Sequence, residues 1–305
     1  MEPVEQSSPG FHTLHAPMLL GILLGLGASI CWGLANVAVQ RASHTVGTFR
    51  GLFWSQLLGG VIAGIAAAVL DHRAAQPALS DLPWVAVAGA AALLGYLCLF
   101  YAFEHGRLTL AVPIMSSWSV IAAGLSLVIF DHRPTAPQLL GGAVVIAGAL
   151  LVSRYAQRGG SPGAGGTGSR GWLFASIGSS IGFGVLIPAM ARLIPAFGSS
   201  GAVAVSYLAE VAIGLPLALA FRIRLAPPSG AEWLPVLLAA VLETAGFVCV
   251  AIGSQVAPVA LVSPFASLAS ALTVSYAWAV LHERPARGVL VGAALVTAGV
   301  VALAL

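Results

Sequence analysis

The sequence predicts an all-α integral membrane protein whose ten transmembrane helices form two inverted five-helix repeats. Three observations carry that expectation: an extreme apolar composition, ten apolar runs of membrane-crossing length, and a second half that repeats the first in constant register.

Hydrophobic residues make up 59% of the 305 positions and charged residues only 8%, whereas an ordinary soluble domain is about a quarter charged. The few charges cluster in short islands between long apolar runs, which read as loops. All 13 basic residues are arginine, set singly or in pairs beside the apolar runs. No basic stripe of the kind that binds nucleic acid is formed. Cys31, Cys98 and Cys249 each sit inside an apolar run without paired spacing or a nearby histidine, so they read as small buried hydrophobes and neither a metal nor a cofactor is expected. The seven histidines fall in loops or tails, which leaves no catalytic cluster at one membrane depth and argues against an enzyme.

A helix needs about 20 mainly apolar residues to cross roughly 30 Å of hydrocarbon. The runs that meet or approach this are Met18 to Val39, Gly51 to Leu70, Trp84 to Phe103, Leu108 to Phe130, Ala136 to Val152, Gly171 to Leu193, Gly201 to Phe221, Trp233 to Ile252, Pro258 to Leu281 and Val289 to Leu305. Trp84, Trp172 and Trp233 open three of them, where an indole sits well at headgroup level. Residues 1–17 carry Glu2 and Glu5 but no Lys or Arg, unlike the n-region of a signal peptide, so the first run is expected to be a retained span. Between Gln157 and Arg170 the chain is almost wholly Gly, Ser, Pro, Ala and Thr, which predicts a flexible linker. The expected organisation is an N-terminal tail over 1–17, a first repeat over 18–156, a linker over 157–170 and a second repeat over 171–305.

The register of the repeat is a displacement of 151 residues, which carries Arg133 onto Arg284. It brings Gly27, Ser29, Gly33 and Arg41 onto Gly178, Ser180, Gly184 and Arg192, and Gly95 and Cys98 onto Gly246 and Cys249. Pro113, Ser116 and Ser119 likewise meet Pro264, Ser267 and Ser270. With five spans per half, the second copy must cross the membrane in the opposite sense, an arrangement characteristic of secondary transporters.

The segments Tyr101 to Arg107, Leu110 to Pro113, Asp131 to Pro134 and Gln138 to Gly142, with their second copy over 251–299, resemble the EamA-type branch of the drug/metabolite transporter superfamily. In that family a Gly-Glu-Arg-x-like turn follows helices four and nine. Here it reads Asp131-His132-Arg133-Pro134, without the glutamate, and His282-Glu283-Arg284-Pro285. The resemblance implies ten helices, a central cavity and transport of small metabolites, amino acids or drugs across the plasma membrane. The expected partners are then a small-molecule substrate, the bilayer and, for a coupled carrier, protons; an uncoupled facilitator or channel is the alternative. Substrate, direction and oligomeric state have no signature in the sequence.

Eight of the ten carboxylates lie in loops, tails or helix ends; Glu210 and Glu243 lie midway along their runs. A charge at mid-bilayer costs about 2.5–3.5 kcal/mol on insertion scales, so such residues usually face a protein interior and serve ions or substrates. Carrying a proton is one use for them and binding a substrate ammonium is another; the third is a structural hydrogen bond, with Ser206, Tyr207 or Thr244 as partners. The register sets Gly59 opposite Glu210 and Ala92 opposite Glu243, so the acids belong to the second half alone. Pro113 and Pro264 each free backbone groups inside a span. Ser116, Ser119, Ser267 and Ser270 follow at spacings of three, suited equally to lining a polar path and to bonding back to their own helix. Trp32, Asn36, Tyr96 and Trp118 are candidates for a cavity wall. Gly21, Gly25, Ser29 and Gly33 form a small-residue stripe for close helix packing.

Ten arginines fall in the odd-numbered loops and three on the other side, which places the termini outside by the positive-inside rule, whereas many EamA-type relatives have cytoplasmic termini.

Overall fold

The computed structural model describes residues 11–71, 77–129, 135–158, 170–257, 262, 265–266, 268–283 and 285–303, and among these it contains helices and no strand. The helices are α1 (Phe11–Val46), α2 (Thr48–Leu70), α3 (Leu82–His105), α4 (Leu108–Met115), α5 (Trp118–Ile129), α6 (Ala136–Arg158), α7 (Gly171–Phe197), α8 (Ser199–Ala220), α9 (Trp233–Val256), α10 (Ala269–Ala279) and α11 (Arg287–Leu303). Single 3₁₀ turns, Leu79–Asp81 and Gly230–Glu232, lead into α3 and α9. The linker between 159 and 169, the Arg133 and Arg284 turns, Pro264 and Ser267 lie outside the described residues.

Among the described residues, six segments are long and apolar enough to cross a bilayer: Pro17–Val46, Thr48–Leu70, Leu79–His105, Gly171–Phe197, Ser199–Ala220 and Gly230–Gly253. Shorter apolar stretches run over Leu108–Ala122, Leu139–Tyr155 and Arg287–Ala302. The first helix is longer than its apolar run at both ends, because a helix need not stop where its hydrocarbon contact does.

The run from Leu108 to Phe130, expected as one helix, is two. Pro113 has no N–H to give the Thr109 carbonyl, and two residues beyond it the chain leaves the α-helix at Ser116 and Ser117. The turn is tightened: Ser117 N–H bonds to Ile114 O at 3.2 Å and Val120 N–H to Ser117 O at 3.1 Å, three residues back rather than four.

The surface is the reverse of a soluble protein's. Large apolar side chains point outward at helical spacing, as at Leu23, Ile30 and Leu34, at Val61, Ile65 and Val69, and at Phe174, Ile177 and Ile181. Glycine, alanine and serine occupy the helix contacts instead. In lipid, association gains little from hiding large apolar groups, and small residues bring backbones close enough for dispersion contacts.

The most extensive contacts are α1 with α9, α3 with α7, α2 with α8 and α6 with α11. Shifted by 151 residues, α1–α9 and α3–α7 exchange, and the other two map onto themselves. The exchange holds residue by residue. The rings of Tyr96 and Phe183 meet edge-on at 4.8 Å, and those of Trp32 and Phe247 at 5.1 Å. A Cβ on Gly148 would come within 2.7 Å of Gly292 O, and one on Gly299 within 2.7 Å of Gly141 O. Glu104 accepts from the Thr48 N–H (3.0 Å) and hydroxyl, and Gln255 Nε2 donates to Ser199 Oγ at 2.9 Å.

These equivalent features sit at opposite ends of the helix bundle. Arg50 pairs with Glu232 at 3.1 Å and donates to the carbonyls of Ala226 and Pro227, which places the Thr48–Glu104 end beside the Gly230–Glu232 turn. At the other end Asp71 Oδ2 accepts the Gly201 N–H at 2.9 Å, next to Ser199 and Gln255.

The α3–α7 crossing depends on the absence of a side chain at Gly182, where a Cβ would strike the Gly95 backbone and the Ala91 carbonyl. Gly182→Val should therefore lower stability by about 1–3 kcal/mol, read as a fall in the thermal unfolding midpoint of the purified protein. Gly64→Ala, where nothing lies within 4 Å of the new Cβ, should leave the midpoint unchanged or raise it slightly.

Candidate functional site

Four helices meet around a short chain of polar groups. Tyr96 on α3 and Tyr207 on α8 are completely buried, with their hydroxyls 2.8 Å apart, and Tyr96 donates to Glu243 Oε2 on α9 at 3.2 Å. Each phenol has one hydrogen, so with Tyr96 donating to the carboxylate, Tyr207 must donate to Tyr96. When Glu243 holds a proton it can donate instead, and the chain reverses direction. The order of hydrogen bonds from α9 through α3 to α8 thus follows the protonation state of one carboxyl.

Gln56 and Ser55 of α2 complete the crevice, with Val39, Phe100, Ala239 and Ala240. Ser55 Oγ bonds to its own Leu52 carbonyl at 3.0 Å, while buried Gln56 Oε1 has no partner among the described residues. The crevice leaves no room for a water molecule between these side chains.

Glu210 lies one turn beyond Tyr207 on α8, wholly buried, and neither of its oxygens has a hydrogen-bond partner among the described residues. It follows Tyr207, whose hydroxyl is joined through Tyr96 to Glu243. Its backbone is pressed against α3, where a Cβ on Gly89 would approach Glu210 N to 3.0 Å. Burial of an ionisable group without a partner is costly, because nothing replaces the lost hydration.

Of the candidate residues, the structure gathers Tyr96, Glu243 and Glu210 and disperses others. Trp32 packs edge-on to Phe247 and covers Gly246, one turn after Glu243, with its Nε1–H unpartnered among the described residues. Asn36 Nδ2 donates to Thr273 Oγ1 at 3.0 Å and ties α1 to α10, outside the residues that line the crevice. Ser270 Oγ lies 3.5 Å from Thr297 Oγ1, between α10 and α11. Trp118 opens α5, where its carbonyl comes within 3.2 Å of a Cβ built on Gly184.

Ser116 and Ser119 bond to carbonyls of their own segment, Val112 at 2.9 Å and Ser116 at 3.1 Å. They belong to the repair of the break after Pro113. Ser117 Oγ also contributes, to Ile114 O at 2.7 Å, and Ser180 Oγ reaches across from α7 to the Ile114 and Met115 carbonyls at 3.0 and 3.1 Å. The far end of α4 is closed from the other half: Glu283 accepts from Leu108 N–H, Thr109 N–H and Thr109 Oγ1 at 3.2, 3.0 and 2.7 Å. Such a carboxylate at a helix N-terminus meets both the free N–H groups and the positive end of the dipole.

Sequence reasoning missed Gln56 and assigned Tyr207 only as a structural partner. The register contained the signal, since Gln56 and Tyr207 are displaced from each other by the same 151 residues and both are polar inside an apolar run.

The EamA-like transporter family profile matches residues 19–154 and again 170–305, one copy in each half. The chain belongs to the EamA-like transporter family. This EamA-like chain, helical and carrying several spans, is a multi-pass membrane protein. It is 29% identical over 72 residues to "Uncharacterized protein MJ1333.1" of Methanocaldococcus jannaschii, a match over 24% of this chain and 53% of the relative. The EamA-like chain thus spans about half the length of that relative. It also superposes on a solved structure titled "Crystal structure of protein" with a TM-score of 0.60 and 19% identity, over 92% of this chain and 95% of the other, which shows the fold alone.

Because the single Ser180 hydroxyl hydrogen is shared between the Ile114 and Met115 carbonyls at the break, Ser180→Ala should cost about 1–3 kcal/mol of stability. Ser119→Ala, which removes a bond to a single local carbonyl, should cost about 1 kcal/mol or less. Thermal unfolding of the two variants in the same detergent provides the comparison.

Proposed function

We propose that the chain is a secondary transporter of a small solute, working by alternating access at the plasma membrane, with protons exchanged at Glu210 and Glu243. In this reading it crosses the membrane ten times, as inverted five-helix halves over 18–156 and 171–305 joined by the 157–170 segment; α4 and α5 together make one crossing, and α10 belongs to the ninth.

The observation that carries the reading is the placement of the carboxyl cluster where the exchanged contacts converge. Contacts that interchange under the repeat register sit at opposite ends of the bundle, as with Glu104–Thr48 and Gln255–Ser199. Two halves related in this way can trade conformations, so the end that is open and the end that is closed swap while the centre stays in place. At that centre α2, α3, α8 and α9 present Gln56, Tyr96, Tyr207, Glu210 and Glu243, with both acids on helices of the second half.

The groove is closed against water here. Glu210, wholly buried and without a partner among the described residues, would lack hydration if ionised, so it needs a proton or a cation as long as the groove is shut, while Glu243 lines the groove and is only partly buried. Opening to either side restores water and lets the acids release what they hold. Tyr96 and Tyr207 are the remaining titratable groups of the cluster, and the chain of hydrogen bonds they form gives Glu243 a partner in either protonation state.

The test is a flux screen in proteoliposomes over labelled amines and amino acids, with wild type compared against Glu210→Gln and Glu243→Gln. Saturable flux with counterflow, accelerated by an opposing proton gradient, is expected for wild type. At least one glutamine variant should lose the gradient dependence and about 10-fold or more of the rate. Flux that neither saturates nor supports counterflow would instead indicate a facilitator or channel. Unchanged flux and pH dependence in both variants would remove the two acids from the mechanism.

A further inference from the structure

We infer that the crevice selects a monovalent organic amine lacking a carboxylate, bound as its ammonium by Glu243 and Gln56 Oε1 of the crevice together with Glu210, which lies one turn beyond the lining residue Tyr207 and reaches the ligand when the crevice opens. This rests on the transporter reading above and adds the substrate class.

Three buried acceptors, both Glu210 oxygens and Gln56 Oε1, have no partner among the described residues. Gln56 is 2% exposed and lines the same crevice as Glu243 and the two tyrosines, so its free carbonyl oxygen is an observation separate from the acids. An ammonium group supplies three N–H donors and a positive charge, which is what two carboxylates and an amide oxygen lack.

The chain has no lysine, and every described arginine lies in a loop or in the outer two turns of a helix: Arg41, Arg50, Arg107, Arg154, Arg158, Arg170, Arg192, Arg222, Arg224 and Arg287. No described cationic side chain therefore reaches the crevice to meet a substrate carboxylate or phosphate. Trp32 Nε1–H is a single neutral donor, whereas a buried carboxylate is held by two or three donors or by an opposite charge. An amino acid placed here would bring a third carboxylate to a pair already short of positive charge.

Phe183, Tyr96, Tyr207 and Phe247 meet in successive edge-on contacts, with centroid separations of 4.8, 5.8 and 6.2 Å, so a row of aromatic rings runs past the tyrosine hydroxyls that lead to Glu243. Such rings favour a cation over their faces and give an apolar substituent a surface to lie on. With the crevice shut around its own side chains, the amine must enter when α2 and α3 part from α8 and α9. Those crossings are lined by Gly59, Gly60 and Gly89, where contact involves backbone on one side.

Phenethylamine, phenylalanine and 2-phenylethanol share one ring and differ in charge, and their binding to the full chain in lipid nanodiscs can be followed by isothermal titration calorimetry. Phenethylamine should bind about tenfold or more tightly than either other compound, and Glu210→Gln or Glu243→Gln should each weaken it by about tenfold or more. Gln56→Leu should weaken the amine several-fold. It should also leave the unliganded protein at least as stable in thermal unfolding, since it removes a buried acceptor that has no partner. A merely structural glutamine would move stability instead of affinity.

Equal or tighter binding of phenylalanine, equal binding of 2-phenylethanol, or no heat from any of the three with folded wild-type protein would overturn the amine assignment. If another solute is still transported in a Glu210- or Glu243-dependent manner, the transporter reading survives that result. If the amine binds as expected but no solute is carried across the bilayer, the binding assignment stands and the transporter reading falls.

Discussion

Lipid provides no hydrogen bonds, and that one constraint organises this structure. Every backbone or side-chain polar group at membrane depth has to find its partner within the protein, so exceptions are informative. The break in the fourth apolar run shows the constraint met. Proline removes a donor, the helix tightens and stops, and serine hydroxyls from the same segment and from α7 take up the freed carbonyls. Glu210 shows it unmet, a wholly buried carboxyl with neither oxygen bonded among the described residues. The first is a repaired defect of backbone geometry; the second has no structural purpose on view, and for that reason it is the stronger sign of a site that works on something else.

The repeat determines where that exception lies. Contacts between the halves recur as exchanged pairs at glycine-mediated approaches, and these tolerate almost no substitution because the opposing atoms are backbone, as at Gly148 with Gly292 and at Gly299 with Gly141. At these two approaches both halves keep glycine, whereas Gly182 has Cys31 as its equivalent and Gly59 has Glu210, so the halves differ elsewhere and polarity is carried by one of them.

Much of this was legible before any coordinates. Ten apolar runs, the register of the repeat and the two acids at mid-run follow from composition and spacing. So does the small-residue stripe of α1, whose Gly21, Gly25 and Gly33 lie against Ala257, Val262, Phe265, Ala266, Ala269 and Leu272. Three features were not legible, for separable reasons. Proline in an apolar run is compatible with a kinked helix or an interrupted one, and the choice depended on Ser180 being within reach from another helix. Whether Ser116 and Ser119 face a path or their own backbone is decided by side-chain rotation, on which spacing is silent. Glu283 appeared to belong to a loop motif, and its service at the start of α4 in the other half is a contact across 174 residues of sequence. Gln56 could have been found, since an amide inside an apolar run is as anomalous as an acid and carries the same implication at lower cost.

The helices that pack across the repeat's own centre explain why the acids occur once rather than twice. At α2–α8 a residue and its equivalent share one region of space, so enlarging one requires shrinking the other. Gly59 is the equivalent of Glu210, and a Cβ there would already lie 2.9 Å from Thr244 Oγ1 and 3.1 Å from the Tyr207 ring. Gln56 is the equivalent of Tyr207 and lines the same crevice. A second glutamate at position 59 would have to displace the ring that continues the hydrogen-bond chain to Glu243. The asymmetry between the halves is thus a volume constraint as much as an electrostatic one: a centre this narrow has space for one set of polar side chains, and the small residues of the other half are what make that space.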